Sequence, residues 1–212
     1  MEAKTRKTVH QIEKIDNFQN LGCPILRFRS TLKGPCLGMT FADFITDYNH
    51  RKQWDINIQK MELRHDFDPC LVNKSIENKE YGSCKRLGVG YQQTKKNFVV
   101  SSREELILAG VQQFSNGASI LWGTEMESKY DHLFPPGERH TRATNHLFAT
   151  ALCPTGQNTF DVEYVMQLDS GGKIPTWMTT PVIAESVKSL FEYAKKYYGS
   201  CPQNEVDNLL FV

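Results

Sequence analysis

Between residues 25 and 168, apolar and polar residues alternate in one segment after another, most of them separated by turn residues. This run constrains the fold more than any other feature of the chain. Ile25 to Leu32 sets the pattern: Leu26, Phe28, Ser30 and Leu32 fall on one side and Arg27, Arg29 and Thr31 on the other. That is the period of two of a half-buried strand. Further strands are expected at 57–66, 70–79, 83–94, 104–115, 118–126, 140–152 and 158–168. Asp68-Pro69, Tyr81-Gly82, Asn116-Gly117 and Pro154-Thr155-Gly156 punctuate them. Asn116-Gly117 is the strongest hairpin signal, because a two-residue type I′ turn needs positive φ at both central residues. Parallel strands need a crossover of about a dozen residues or more, so connections this short imply an antiparallel sheet.

Two helices bracket the strands, which makes the class α+β. The first is expected at 40–50, where Phe41, Phe44, Ile45 and Tyr48 form one apolar stripe. The second runs from Pro175 to about Tyr198 with a stripe of Ile183, Val187, Leu190, Phe191, Ala194, Tyr197 and Tyr198. Asp169-Ser170-Gly171-Gly172 supplies the turn ahead of it and Gly199 its end. Pro181 should kink this helix or mark its first turn. Val9, Ile12 and Ile15 have helical spacing, although a strand is an open alternative for the first 22 residues.

With 212 residues, no internal repeat and no linker, the chain reads as a single domain over 1–212. Its 25 basic and 24 acidic residues leave a formal net charge of +1, which argues against a nucleic-acid partner. No run approaches the roughly 18 apolar residues of a membrane span, and the polar start, Met1 to Lys7, is not a secretory signal. The cysteines (Cys23, Cys36, Cys70, Cys84, Cys153, Cys201) form no CxxC pair, so reduced thiols in a cytoplasmic protein are expected and zinc is not. No HExxH, GxSxG or phosphate-loop spacing occurs. Gly88-Val89-Gly90 reads instead as a bulged strand. Glu104 and Glu105 are strand neighbours and should point to opposite faces. No catalytic constellation emerges, and no cofactor or metal is expected.

One short segment stands out. Arg51-Lys52-Gln53-Trp54-Asp55 ends the first helix. In helical geometry Arg51 and Asp55 share a face, which by spacing alone is an ordinary surface ion pair. Trp54 reads as core.

That segment, Arg51 to Asp55, resembles the helix-ending RxxWD signature of START (StAR-related lipid transfer) domains. Ser102-Arg103-Glu104-Glu105-Leu106 is similar to the family's SRD strand start. Gly137-Glu138-Arg139 through Arg142-Ala143 is similar to the approach to its late strands. Asp169-Ser170-Gly171-Gly172-Lys173-Ile174-Pro175-Thr176-Trp177-Met178 is similar to its D-x-GG-x-IP-x-W lead into the last helix. The resemblance spans about 25–199, and the N-terminal region is shorter than the family's. It implies a helix-grip fold: a long curved antiparallel sheet wrapped around the C-terminal helix, enclosing a lipid cavity. It also implies a lid role for that helix. Its aromatic end, with the loops at 116–118 or 133–139, is a candidate for transient membrane-surface contact.

By the same resemblance Arg51 contacts the phosphate of a headgroup, with Asp55 orienting it. The aromatic cage of the family's phosphatidylcholine carrier aligns near Gln92, Glu105 and His146, which offer no cage. The basic residue of its sterol-binding members aligns near Ala109. The expectation is therefore a monomeric, non-enzymatic phospholipid carrier rather than a sterol carrier, with Arg51, Asp55, Gln92, Glu105 and His146 at the headgroup. A lipid-sensing regulatory module and a helix-grip enzyme acting on an apolar substrate are the competing readings.

Overall fold

A computed structural model describes residues 11–16, 21–75, 79–96, 101–130, 132, 134–137, 140–172 and 174–200. Val9, residues 76–78, Cys201, and 133, 138 and 139 of the proline-rich loop lie outside the described residues. The chain begins with β1 (Gln11–Ile15) and β2 (Ile25–Lys33), followed by α1 (Gly38–Thr46) and α2 (Tyr48–Trp54). Next come β3 (Ile58–Phe67), α3 (Pro69–Ser75), β4 (Ser83–Thr94), β5 (Arg103–Gln113) and β6 (Ser119–Glu125). β7 (Thr141–Arg142), β8 (Thr144–Gly156), β9 (Thr159–Asp169) and α4 (Thr176–Ser200) complete it.

The strands form one open sheet in the order β1-β2-β9-β8-β6-β5-β4-β3, antiparallel throughout except for β7, which pairs parallel with β5. Together with α4 this is the long antiparallel sheet with a C-terminal helix expected from the sequence. β1 settles the ambiguous N-terminal segment as a strand, since Ile12 faces Phe28 and Ile15 faces Ile25 across an antiparallel ladder. Among the described residues, no helix is long and apolar enough to cross a membrane.

The core lies between the sheet, α1 and α4. Phe28 and Leu32 of β2, Leu121 of β6, Leu152 of β8 and Phe160 and Val162 of β9 pack against Phe41 and Phe44 of α1. Leu190, Phe191 and Ala194 of α4 close this cluster and are completely buried. Tyr193, Tyr197 and Tyr198 set their rings edge-on around Phe44, within 4.9 to 5.8 Å between centroids. The aromatic end of α4 is therefore bound up in the core, which overturns its candidacy as the membrane-facing end.

Three local expectations need correction. Residues 70–79 do not begin a strand: Pro69 opens a short helix, and Asp68 caps it, its Oδ1 accepting from the Cys70 amide at 2.8 Å. A proline at the first helical position loses no hydrogen bond, so Asp68-Pro69 is a helix start and not a strand-ending turn. The helix at 40–50 is two helices that break at Asp47, which is extended (φ −88°, ψ 127°). Its Oδ1 accepts from Asn49 and His50 at 2.7 and 3.2 Å and so restarts the helix. The β5–β6 hairpin is not a two-residue type I′ turn. Phe114 N donates to Ala118 O at 2.9 Å, which leaves three loop residues with Gly117 at φ +81°. A left-handed last residue is what a three-residue hairpin requires.

Candidate functional site

A cavity of about 950 Å³ lies between β3, β4 and β5 and the first half of α4. β4 contributes Gly88, Gly90, Gln92 and Thr94, and β5 contributes Arg103, Glu105, Ile107 and Ala109. Each set is every second residue, because strand side chains alternate between faces. Tyr164, Met166 and Leu168 follow the same period on β9, and Met178, Val182 and Ile183 of α4 lie across from them. The hollow has a cause in the sequence. Gly88 faces Ala109 across the β4–β5 ladder, and Gly90 faces Ile107. At Gly90 and Ala109 small residues thus stand where a packed sheet would carry large ones, whereas a Cβ at Gly88 would lie 2.8 Å from the His65 carbonyl oxygen. A Cβ added at Gly90 would meet only the Ile107 carbonyl oxygen, at 4.0 Å.

The wall mixes apolar side chains with polar ones, Glu62, Asp66, Arg86 and Lys95 among them, and one polar cluster in it is buried. α2 presents Arg51, whose Nε and Nη2 lie 2.9 and 2.8 Å from Asp55 Oδ2. The two side chains are only 15% and 7% exposed. The surface-pair reading therefore fails: this is a desolvated pair, in which removing one partner strands the other charge. The guanidinium lies over the Trp54 ring at 4.3 Å. Trp54 is core, and its Nε1 donates to Phe44 O at 2.8 Å, fastening α2 onto α1. Asp55 caps the helix end, with Oδ1 accepting from the Asn57 amide at 3.1 Å. Arg51 Nη1 makes no hydrogen bond to the described residues.

Glu105 enters the same space from β5. Glu105 and Asn145 are each 6% exposed. Glu105 Oε2 and Asn145 Oδ1 are buried without a hydrogen-bond partner among the described residues. Burial pushes the Glu105 carboxyl above its ordinary 4.5; the neighbouring Gln92 and Asn145 amides and the Arg51 charge offset this in part, while Asp55 adds to it. Burial likewise pushes the Tyr164 hydroxyl up to about 12, so it stays a neutral donor and acceptor.

Arg51, Asp55, Gln92 and Glu105 are thus brought to one cavity. His146 is not among its lining residues, and its Nδ1 lies 3.0 Å from Glu125 Oε1. The register of β8 against β9 shifts between Asn145 and Leu147. With Phe148, Thr150 and Leu152 buried, strict alternation would turn His146 inward, but the irregularity puts Asn145 there instead. Asn145 was therefore not legible from strand periodicity. Tyr164 was, since it continues the buried series Phe160, Val162.

The neighbouring motif residues position the site. As alternation predicts, Glu104 turns away from the cavity: Tyr91 Oη donates to its Oε2 at 3.1 Å, while the Gly137 amide and Arg142 Nε donate to Oε1 at 3.0 and 3.1 Å. Arg103 donates through Nε to Ser170 O at 2.6 Å and through Nη2 to Gly171 O at 3.4 Å. This ties the head of β5 to the turn that launches α4. Gly171 has φ +68°, and a Cβ there would lie 2.5 Å from Arg142 O, so the turn tolerates only glycine. Segments far apart in sequence thus meet around the cavity's polar end.

No protein-family model and no curated protein sequence matches this chain. Solved structures do. Human StAR-related lipid transfer protein 5 superposes with a TM-score of 0.62 at 17% identity, over 92% of this chain and 88% of that one. Human STARD10 gives 0.60 at 16% identity, over 89% and 74%. A STAR-related lipid transfer protein from Xanthomonas axonopodis gives 0.58 at 16% identity, over 90% and 99%. At such identities the likeness speaks for the fold, and the fold is that of the START domain.

Proposed function

We propose that this chain binds one lipid, a phospholipid, in the cavity and carries it between membranes without chemical change. The observation that carries this reading is the roughly 950 Å³ cavity, with Ile107, Phe148, Met166 and Ile183 in its wall and a buried polar cluster around Arg51 and Asp55. Each methylene taken from water is worth about 0.8 kcal/mol, so acyl chains leave a bilayer only for an equally dry interior. Arg51 Nη1 is the cation for the phosphate, Asp55 holds the guanidinium in place, and Gln92 and Glu105 contact the rest of the headgroup. The fold neighbours named as lipid transfer proteins support the same reading. On it the protein is a monomer in the cytoplasm that touches membrane surfaces transiently. The exposed Trp177 of α4, 74% accessible, and Leu63 of β3, 65% accessible, are the apolar contacts it would use near the cavity.

The test is native mass spectrometry after incubation with mixed phospholipid vesicles, together with exchange of labelled phospholipid between vesicles. A bound lipid mass and catalysed exchange are expected. Arg51→Ala should lower exchange, and so should the double variant Arg51→Ala/Asp55→Ala, which leaves no stranded charge. Protein that stays apo and exchanges nothing overturns the reading.

A further inference from the structure

We infer that the polar end of the cavity selects a lipid whose headgroup donates hydrogen bonds, and that Glu105 and Asn145 are the residues that read those donors. This rests on the lipid-binding reading above and narrows its ligand class. The argument is one of polar accounting. A buried polar atom with no partner costs free energy, and native proteins leave few of them. Here two acceptors, Glu105 Oε2 and Asn145 Oδ1, are both buried without a partner, and both residues line the cavity. Arg51 donates to neither: its Nε and Nη2 are committed to Asp55, and its Nη1 reaches no acceptor among the described residues.

A ligand must supply what is missing. A phosphodiester offers acceptors only, so it answers Arg51 and leaves both orphans as they were. A trimethylammonium group has no N–H at all and is held by aromatic faces. The polar neighbours of Glu105 are instead Arg51, Asp55, Gln92, Asn145 and Tyr164. A primary ammonium carries three donors, enough for both orphans at once, and its charge favours the ionised form of Glu105 that burial alone disfavours. A hydroxyl is the uncharged source of the same chemistry.

The experiment uses the whole protein and vesicles of equimolar phosphatidylethanolamine, phosphatidylcholine and diacylglycerol with identical acyl chains. Bound lipid is read by native mass spectrometry. The two donor-bearing lipids should be retained over phosphatidylcholine by about tenfold or more, the worth of one charge-assisted hydrogen bond. Glu105→Gln keeps the shape and removes the charge. Loss of phosphatidylethanolamine retention in that variant identifies the ammonium as the donor. Unchanged preference for diacylglycerol in Glu105→Gln, lost in Asn145→Leu, identifies the hydroxyl. Equal retention of phosphatidylcholine by the unaltered protein overturns the inference while leaving lipid carriage intact. An absence of any bound lipid overturns the carriage reading itself. The wild-type competition needs no variant, so a poorly folding substitution does not obscure the result.

Discussion

The two halves of α4 are one continuous helix facing two different interiors. Its C-terminal half inserts Leu190, Phe191 and Ala194, all fully buried, against Phe28, Leu152 and Phe160 of the sheet. Its N-terminal half turns Met178, Val182 and Ile183 towards a void bounded by Gly88, Gly90 and Ala109. The helix is the same; what changes is the size of the residues on the strands opposite. Large side chains at inward positions of β2, β8 and β9 pack the core, and at Gly90 and Ala109 small ones leave room beside Gln92, Glu105 and Ile107. Stability and capacity thus draw on different stretches of α4, while Trp54, Phe148, Tyr164 and Met166 belong to both the core cluster and the cavity wall. The fold can keep a hollow end because the packed end supplies the burial that holds it together.

Substitutions can break this division or sharpen it. Phe191→Ala, at the packed end, should cost about 3–5 kcal/mol of unfolding free energy by chemical denaturation, the usual toll of an aromatic removed from a core. Gly90→Phe, at the hollow end, should move stability by no more than about 1 kcal/mol, because the new side chain enters empty space from a strand position that suits it. It should nonetheless bring bound lipid in native mass spectra down to background. Should Gly90→Phe unfold the protein as readily as Phe191→Ala does, the two ends are not separable.

The smallest effect is electrostatic. Glu105 is raised above its ordinary 4.5, so the folded state holds its proton more tightly than the unfolded chain. Stability rises with pH only where the unfolded state binds more protons, and here it binds fewer. Glu105 thus adds its full share below pH 4.5 and loses it as pH climbs through the raised value. The thermal midpoint of the unaltered protein should fall relative to that of Glu105→Gln over that window. Parallel midpoints would place the carboxyl in a less demanding environment.

Much of this division was legible in the sequence. Alternation between Ile25 and Leu32 marked the inward positions of β2 before any coordinates. The stripe on α4 marked the face that packs. The RxxWD segment marked Arg51 and Asp55, although spacing alone made them a surface pair. Where the reading failed, a single residue changed the phase or the ladder. The irregularity at His146 exchanged that side chain for Asn145, and Asp68 capping Pro69 turned an expected strand into α3. Local patterns record which residues prefer to be buried but not where a ladder skips, since a bulge is set by the twist the whole sheet must adopt.

By itself the sequence determined the class of fold, the antiparallel order of neighbouring strands, and the small residues that make a void possible. Only the tertiary structure decided that the Arg51–Asp55 pair is buried, that Glu105 and Asn145 face it with unpaired acceptors, and that Arg103 ties the head of β5 to the turn before α4. The reason is physical. Periodicity is a property of a few adjacent residues, whereas desolvation of a charge depends on groups brought from α2, β5, β8 and β9, tens to more than a hundred positions apart.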